Sequence, residues 1–247
     1  MFVKFGVRND LKVAIIQFPG TNCDIDTYRV FTNELVIDTS LIWHEKDVDL
    51  QEYDAVILPG GFSYGDHLRA GIIAAHSPIA KQLKKLSLRG KPIIGICNGF
   101  QILVELGLLP GALLRNSNLR FVCKWTVLKV ENTNLFTNCF ESNSLIRMPV
   151  AHNEGRYYVT DETLQDLESN KQIILRYVDS SGEVSINSNP NGSVSNIAAV
   201  SNTEGNVLGM MPHPERASEN ILSPYSTNDG LGIFRSMALS LEVMLQK

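Results

Sequence analysis

The sequence predicts an α/β protein: a doubly wound, mostly parallel sheet flanked by helices, with antiparallel strands added in its second half. Three observations predict it. The runs Lys12–Phe18, Asp54–Leu58 and Pro92–Ile96 are short and apolar almost throughout, as strands covered on both faces are. They alternate with segments whose apolar residues recur at helical spacing, the pattern of a parallel, doubly wound sheet. From Arg120 onward the strands lengthen and alternate, and Ile197–Val200 and Val207–Met211 flank a hairpin-like connection, which is antiparallel character.

In chain order, Lys12–Phe18 is a central strand stopped by the turn cluster Pro19-Gly20-Thr21-Asn22. Asp24 or Asp26 is placed to cap a helix running to about Leu35. Thr39–Trp43 reads as a second strand, and the acidic stretch 44–54 as a solvated connection. Asp54–Leu58 is the third strand, closed by Pro59-Gly60-Gly61. Asp66 is set to start a helix reaching about His76, and Ser77-Pro78 restarts one to about Leu86. The strand Pro92–Ile96 then turns at once into a helix in which Ile102, Leu103, Leu106 and Leu109 share a face. Arg120–Val130 and Ile173–Val178 are strands. Asp229–Leu245 closes the chain as a helix with Ile233, Phe234, Met237 and Leu241 inward. With no repeat or linker, residues 12–247 read as one domain, and residues 1–11 as an N-terminal extension to which no role is assigned.

Of the 247 residues, 44% are hydrophobic and 19% charged, enough apolar material for a sizeable core. A net charge of -4 without a basic block excludes nucleic acid and anionic membrane as expected partners. The four cysteines, Cys23, Cys97, Cys123 and Cys139, show no paired spacing and read as reduced thiols, so a cytoplasmic protein is expected. In the first ten residues Lys4, Arg8 and Asp10 interrupt any signal-peptide apolar region, and no run reaches the ~18 residues of a membrane helix.

The chemistry concentrates at Gly95-Ile96-Cys97-Asn98-Gly99. A strand passing directly into a helix forces the middle residue into a strained, exposed position, and the flanking glycines let the two backbones approach. The helix N-terminus lowers the pKa of a cysteine there and offers N–H groups to an oxyanion. The competing reading is a small buried cysteine in a tight turn; legible strand and helix on either side favour the nucleophile. Its base is sought in Met211-Pro212-His213-Pro214-Glu215, where two prolines hold the backbone extended and residues two apart face one way, so Glu215 can fix the His213 tautomer. A metal is not expected, because this pair supplies only two ligands. Gly61-Phe62-Ser63-Tyr64-Gly65 matches the serine elbow pattern but lacks strand-to-helix contiguity, so Ser63 is set aside. His152-Asn153-Glu154 repeats the His-x-Glu spacing without prolines to lock it and ranks below His213. His44, His67 and His76 have no companion signal. No phosphate-binding motif occurs.

Gly95 to Gln101 with His213-Pro214-Glu215 resembles a class I, triad glutamine amidotransferase, a flavodoxin-like fold. The segments 18–24 and 60–66, Arg69-Ala70-Gly71, Asn116-Ser117, Arg120-Phe121 and 189–193 narrow the resemblance to the glutaminase subunits of phosphoribosylformylglycinamidine synthase, over nearly the whole chain from Lys12. His67 stands where that family's pattern has tyrosine. The resemblance implies Cys97, His213 and Glu215 as catalytic, the backbone N–H groups of Gly61, Phe62 and Asn98 as oxyanion donors, and Gln101 as a glutamine contact. It implies no cofactor on this chain and two partners: a synthetase subunit that uses ATP and Mg, and a small accessory subunit. A stand-alone thiol hydrolase of similar fold, such as a gamma-glutamyl hydrolase or a peptidase-like relative, is the competing expectation.

Overall fold

A computed structural model describes residues 11–246. The elements in order are β1 (Lys12–Gln17), α1 (Asp24–Arg29), β2 (Asp38–Trp43), β3 (Ala55–Leu58), α2 (Ile72–Ala75), α3 (Pro78–Leu88), β4 (Ile93–Ile96) and α4 (Asn98–Glu105). There follow β5 (Ala112–Leu114), β6 (Val122–Val130), β7 (Leu145–His152), β8 (Arg156–Tyr158), α5 (Asp161–Ser169), β9 (Ile173–Val178), β10 (Ile197–Ser201), β11 (Val207–Met210) and α6 (Leu231–Met244). Of the N-terminal extension, residues 1–10 lie outside the described residues, and Leu11 is buried in the core.

One large sheet has the order β2-β1-β3-β4-β11-β10-β9-β6-β7. The strands from β2 to β11 run parallel, in a doubly wound order that puts β1 and β3 at its start. Beyond β11 every neighbour is antiparallel. The interior strands β3, β4 and β11 are buried at every residue, which is why they are apolar runs and not alternations. β6 lies toward the rim and alternates instead. α4 packs on β4, β3 and β11, while α6 meets the segment after α1 through Phe31 and Phe234, ring centroids 5.0 Å apart.

The structure departs from the sequence reading in several places. The helix expected from Asp66 to His76 is a 3₁₀ turn over Ser63–Asp66 followed by the short α2, because Tyr64, Asp66 and Leu68 take positive φ values of 54°, 54° and 67° that no helix tolerates. α1 is capped by neither aspartate: Cys23 occupies the N-cap without a side-chain cap, and Asp24 turns back to accept from the Gln17 amide. The segment 44–54 is not wholly solvated, since His44 and Leu50 are buried. The sequence reading places neither α5 nor β7, whose Pro149 argues against a strand. β7 is the outermost strand of the sheet, where a missing N–H is tolerated.

Candidate active site

β4 ends at Ile96 and α4 begins at Asn98, leaving Cys97 alone to make the turn, at φ 51° and ψ −104°. A β-carbon on Gly99 would come 2.0 Å from the Leu58 carbonyl oxygen, and one on Gly95 2.6 Å from that of Gly99, so only glycine lets strand and helix close to this distance. A non-glycine residue held at such angles stores roughly 1–3 kcal/mol, which the surrounding packing must offset. The Cys97 N–H donates to Met210 O on β11 at 2.7 Å, fixing the elbow to the next parallel strand. The thiol lies 3.7 Å from the Ala151 carbonyl oxygen on β7, and Cys97 is buried.

His213 follows β11. Its N–H donates to Pro149 O on β7 at 2.8 Å, and its backbone is extended, φ −103° and ψ 92°. Extended alternation does not bring Glu215 to it, however. Pro214 opens a 3₁₀ turn over Pro214–Ala217, and that bend folds the Glu215 carboxylate back onto Nδ1 at 2.6 Å. Both side chains are buried. Burial disfavours the imidazolium, but the Glu215 carboxylate and the charge on Cys97 outweigh it and hold His213 well above the usual histidine range. Nε2 makes no protein hydrogen bond, and Nδ1 faces Glu215, which leaves Nε2 to serve the thiol once Cys97 turns from Ala151.

The loop Gly60–Ser63 crosses this site. The Gly60 carbonyl accepts from Asn22 N at 3.3 Å and Cys23 N at 3.1 Å. The trans peptide therefore sends the Gly61 N–H to the opposite side. The Asn98 N–H is free by position, in the first turn of α4. Phe62, expected as a further donor, has its N–H directed to Gly20 O at 2.9 Å. Gln101 is buried, and its amide already bridges two neighbours, accepting from Asn98 Nδ2 at 2.8 Å and donating to Glu154 O at 2.7 Å. Asn98 Oδ1 in turn accepts from Ser63 N at 3.0 Å. One chain of hydrogen bonds, Ser63–Asn98–Gln101–Glu154, with its first three members buried, thus ties the loop to the elbow helix. Ser63 Oγ is buried without a partner and is not on an elbow.

His152 is drawn into the interior but bound as a neutral ring. Nδ1 meets Asn116 Oδ1 at 3.1 Å and Nε2 faces the Asn191 amide nitrogen at 3.3 Å, so one nitrogen donates and the other accepts. Burial, then the charge of His213, push it down to about 4. Asn116 also accepts from Gly155 N and donates to the carbonyls of His152 and Arg120. This network accounts for the motif residues Asn116 and Asn191, whose partners lie too far along the chain for spacing to reveal. Sequence reasoning also missed Cys23, 3.9 Å from His213 Nδ1 and 3.2 Å from an Arg216 guanidinium nitrogen. Its only signal was a cysteine closing the Pro19–Asn22 turn. All four cysteines are free thiols, and among the described residues no helix is long and apolar enough to cross a membrane.

A strained thiol at a strand-to-helix elbow, facing a buried His–Glu pair beyond the ends of parallel strands, defines a thiol enzyme of the triad type. A domain family described as CobB/CobQ-like glutamine amidotransferase matches residues 10–239. The phosphoribosylformylglycinamidine synthase subunit PurQ of Aquifex aeolicus is 56% identical over 229 residues, 92% of this chain and 99% of that one. The subunit of the same name from Methanosarcina barkeri is 50% identical over 228 residues, 92% and 97% of the two chains. A chain in a structure of PurLQS from Thermotoga maritima superposes with a TM-score of 0.80 at 43% identity, covering 94% of this chain and 99% of that one. A second Thermotoga maritima structure, a glutamine amidotransferase, shares the fold with a TM-score of 0.61 at 16% identity, covering 95% and 99%. The chain belongs to the glutamine amidotransferases, and among them to the family of PurQ subunits of phosphoribosylformylglycinamidine synthase.

Proposed function

We propose that this chain is the glutaminase subunit of phosphoribosylformylglycinamidine synthase in purine biosynthesis. It releases ammonia from glutamine for an ATP-dependent synthetase that converts formylglycinamide ribonucleotide to the amidine. The observation that carries the reading is the buried His213–Glu215 contact of 2.6 Å beside the elbow thiol of Cys97. His213 Nε2 takes the thiol proton, and the Cys97 thiolate attacks the carboxamide carbon of glutamine. The Gly61 and Asn98 N–H groups receive the oxyanion. As the C–N bond breaks, His213 returns its proton to the departing nitrogen, leaving ammonia and a glutamyl thioester on Cys97. His213 then deprotonates water, which attacks the thioester; the sulfur leaves, and glutamate is released. Glu215 keeps Nδ1 protonated and stabilises the imidazolium. Gln101 orders the site through Asn98 and Glu154.

The synthetase and small accessory subunit are the partners, in the cytoplasm, and ATP and Mg belong to the synthetase. Separate generation and use of ammonia gives the test. Cys97→Ala abolishes glutamine-dependent amidine formation by the reconstituted complex while ammonium chloride still supports it. Equal loss with both nitrogen sources refutes the assignment of the thiol. Glutamine hydrolysis by the subunit alone is slow and rises when the synthetase, acceptor and nucleotide are added; full turnover by the lone subunit refutes that coupling.

A further inference from the structure

The sequence offers His213 and Glu215 as two metal donors and no third. The fold supplies the third. Cys23, at the cap of α1, lies against the outer edge of the His213 ring, and its sulfur, a ring nitrogen and a Glu215 oxygen all fall within 4.8 Å of one another. All three residues are buried, and Glu215 Oε2 has no hydrogen-bond partner. We propose that Cys23, His213 Nδ1 and Glu215 form an inhibitory site for zinc or a similar thiolate-seeking divalent cation, which switches off the glutaminase by taking the base of the triad proposed above.

The geometry meets the demands of such an ion. Zinc–sulfur and zinc–nitrogen bonds of about 2.3 and 2.0 Å span the 3.9 Å between Cys23 Sγ and His213 Nδ1 at an angle of about 130°, so the two side chains must draw together slightly to reach a tetrahedral angle. Glu215 Oε1, only 2.6 Å from Nδ1, is too close to share the ion with it comfortably, so the unpartnered Oε2 is the better ligand. One cation stands in the way: Arg216, with a guanidinium nitrogen 3.2 Å from the sulfur. Its side chain is 39% exposed, and its Nε lies 3.8 Å from the half-exposed Asp26 carboxylate, so it has a resting place outside the cluster. A solvent molecule completes the tetrahedron along the path Arg216 vacates.

Binding releases one proton net, from the Cys23 thiol, while the proton displaced from Nδ1 of the neutral His213 ring is replaced by one on Nε2. The consequence follows from the tautomer. With Nδ1 on the metal, the neutral ring carries its proton on Nε2, the nitrogen that faces Cys97. Nε2 becomes a donor and can no longer accept the thiol proton. The triad is silenced without the metal touching its nucleophile, and the Nδ1–Glu215 hydrogen bond is lost as well.

This inference rests on the triad reading, and two measurements separate their failures. In the complete complex, micromolar Zn²⁺ lowers the glutamine-dependent rate by tenfold or more, a chelator restores it, and the ammonia-dependent rate is unchanged. Cys23→Ser raises the zinc concentration for half-inhibition at least tenfold. Inhibition of Cys23→Ser at the wild-type zinc concentration overturns the proposal, because the ion then acts elsewhere. The second measurement needs no activity. Cobalt(II) added to full-length Cys97→Ala gives a near-ultraviolet thiolate-to-cobalt absorption, which is absent from the Cys23→Ser/Cys97→Ala double variant and weakened in Glu215→Gln/Cys97→Ala. A band that survives loss of Cys23 comes from Cys123 or Cys139 and overturns the site, whatever the fate of the triad. Native ammonia-dependent activity of each variant in the complex certifies that it has folded and assembled.

Discussion

Asn98→Ala tests whether the loop and the elbow act as one unit. Its side chain joins Ser63 N, at 3.0 Å, to Gln101 Oε1, at 2.8 Å. Alanine removes both partners and leaves two buried polar groups unpaired, each worth about 1–3 kcal/mol. A stability loss of about 2–4 kcal/mol follows, read as a lower denaturant midpoint at unchanged slope. The loop Gly60–Ser63 then keeps its backbone ties to Gly20, Asn22, Cys23 and Gly65, and the Gly61 N–H is no longer held against the helix that carries Asn98. Losing one oxyanion donor lowers kcat by about 10²–10³. In the complex, the glutamine-dependent rate falls by that order while ammonia-dependent synthesis is spared. Asn98→Asp keeps the acceptor toward Ser63 and recovers part of the loss. A stable Asn98→Ala protein, or a destabilised one with full glutaminase rate, refutes the idea that this side chain couples loop to elbow.

Ser63→Ala leaves glutamine hydrolysis largely intact and stability within about 1 kcal/mol, since its hydroxyl has no partner to lose; a loss as complete as that of Cys97→Ala reverses the choice of nucleophile. His213→Asn lowers the rate of thioester formation by about 10²–10⁴, and His152→Asn by far less, because His152 is bound as a neutral ring in a closed network; equal losses refute the assignment of the base. His152 also sets an acid limit on stability. Its folded pKa of about 4 lies below its unfolded value near 6.5, so as pH falls through that window the unfolded chain takes up a proton that the folded one refuses. Stability then drops by up to about 3 kcal/mol between pH 6.5 and 4, and denaturant titrations of His152→Asn lose that part of the slope. His213, raised instead, has its stabilising share fully present below pH 6.5 and adds no slope there.

The elbow was legible because its cause is local. Two glycines with a strand ending at Ile96 and a helix starting at Asn98 leave the backbone one way to turn, and Gly99 against Leu58 shows the steric reason. The pairing of His213 with Glu215 was legible for a partly different reason from the one the sequence suggested, as Pro214 acts by opening a turn and not by prolonging a strand. What was hidden depends on residues far apart in sequence. β7 reads poorly because its proline is acceptable only at a sheet edge, and edge position is a property of the whole topology. Yet β7 supplies the carbonyls of Pro149 and Ala151 that face His213 and Cys97. Cys23 reads as one more core thiol until the fold closes Asn22 and Cys23 over Gly60. Phe62 stands among the oxyanion donors that the resemblance implies, but its N–H is engaged by the Gly20 carbonyl, a contact no local pattern announces.

The position of β11 in the sheet has a bearing on how the protein comes into being. β4, whose end carries Cys97, is flanked by β3 on one side and by β11 on the other, and β11 is the last strand to be made. Until Val207–Met210 leave the ribosome, one flank of β4 has no pairing partner, the Cys97 N–H lacks the Met210 carbonyl, and His213 has not been synthesised. A nascent chain therefore carries its thiol through most of translation as an ordinary cysteine beside an open strand edge. Contacts of this sequence separation form slowly. Glutamine-splitting competence arises in one late event, the insertion of β11 between β4 and β10, and chains truncated before His213 cannot leak ammonia.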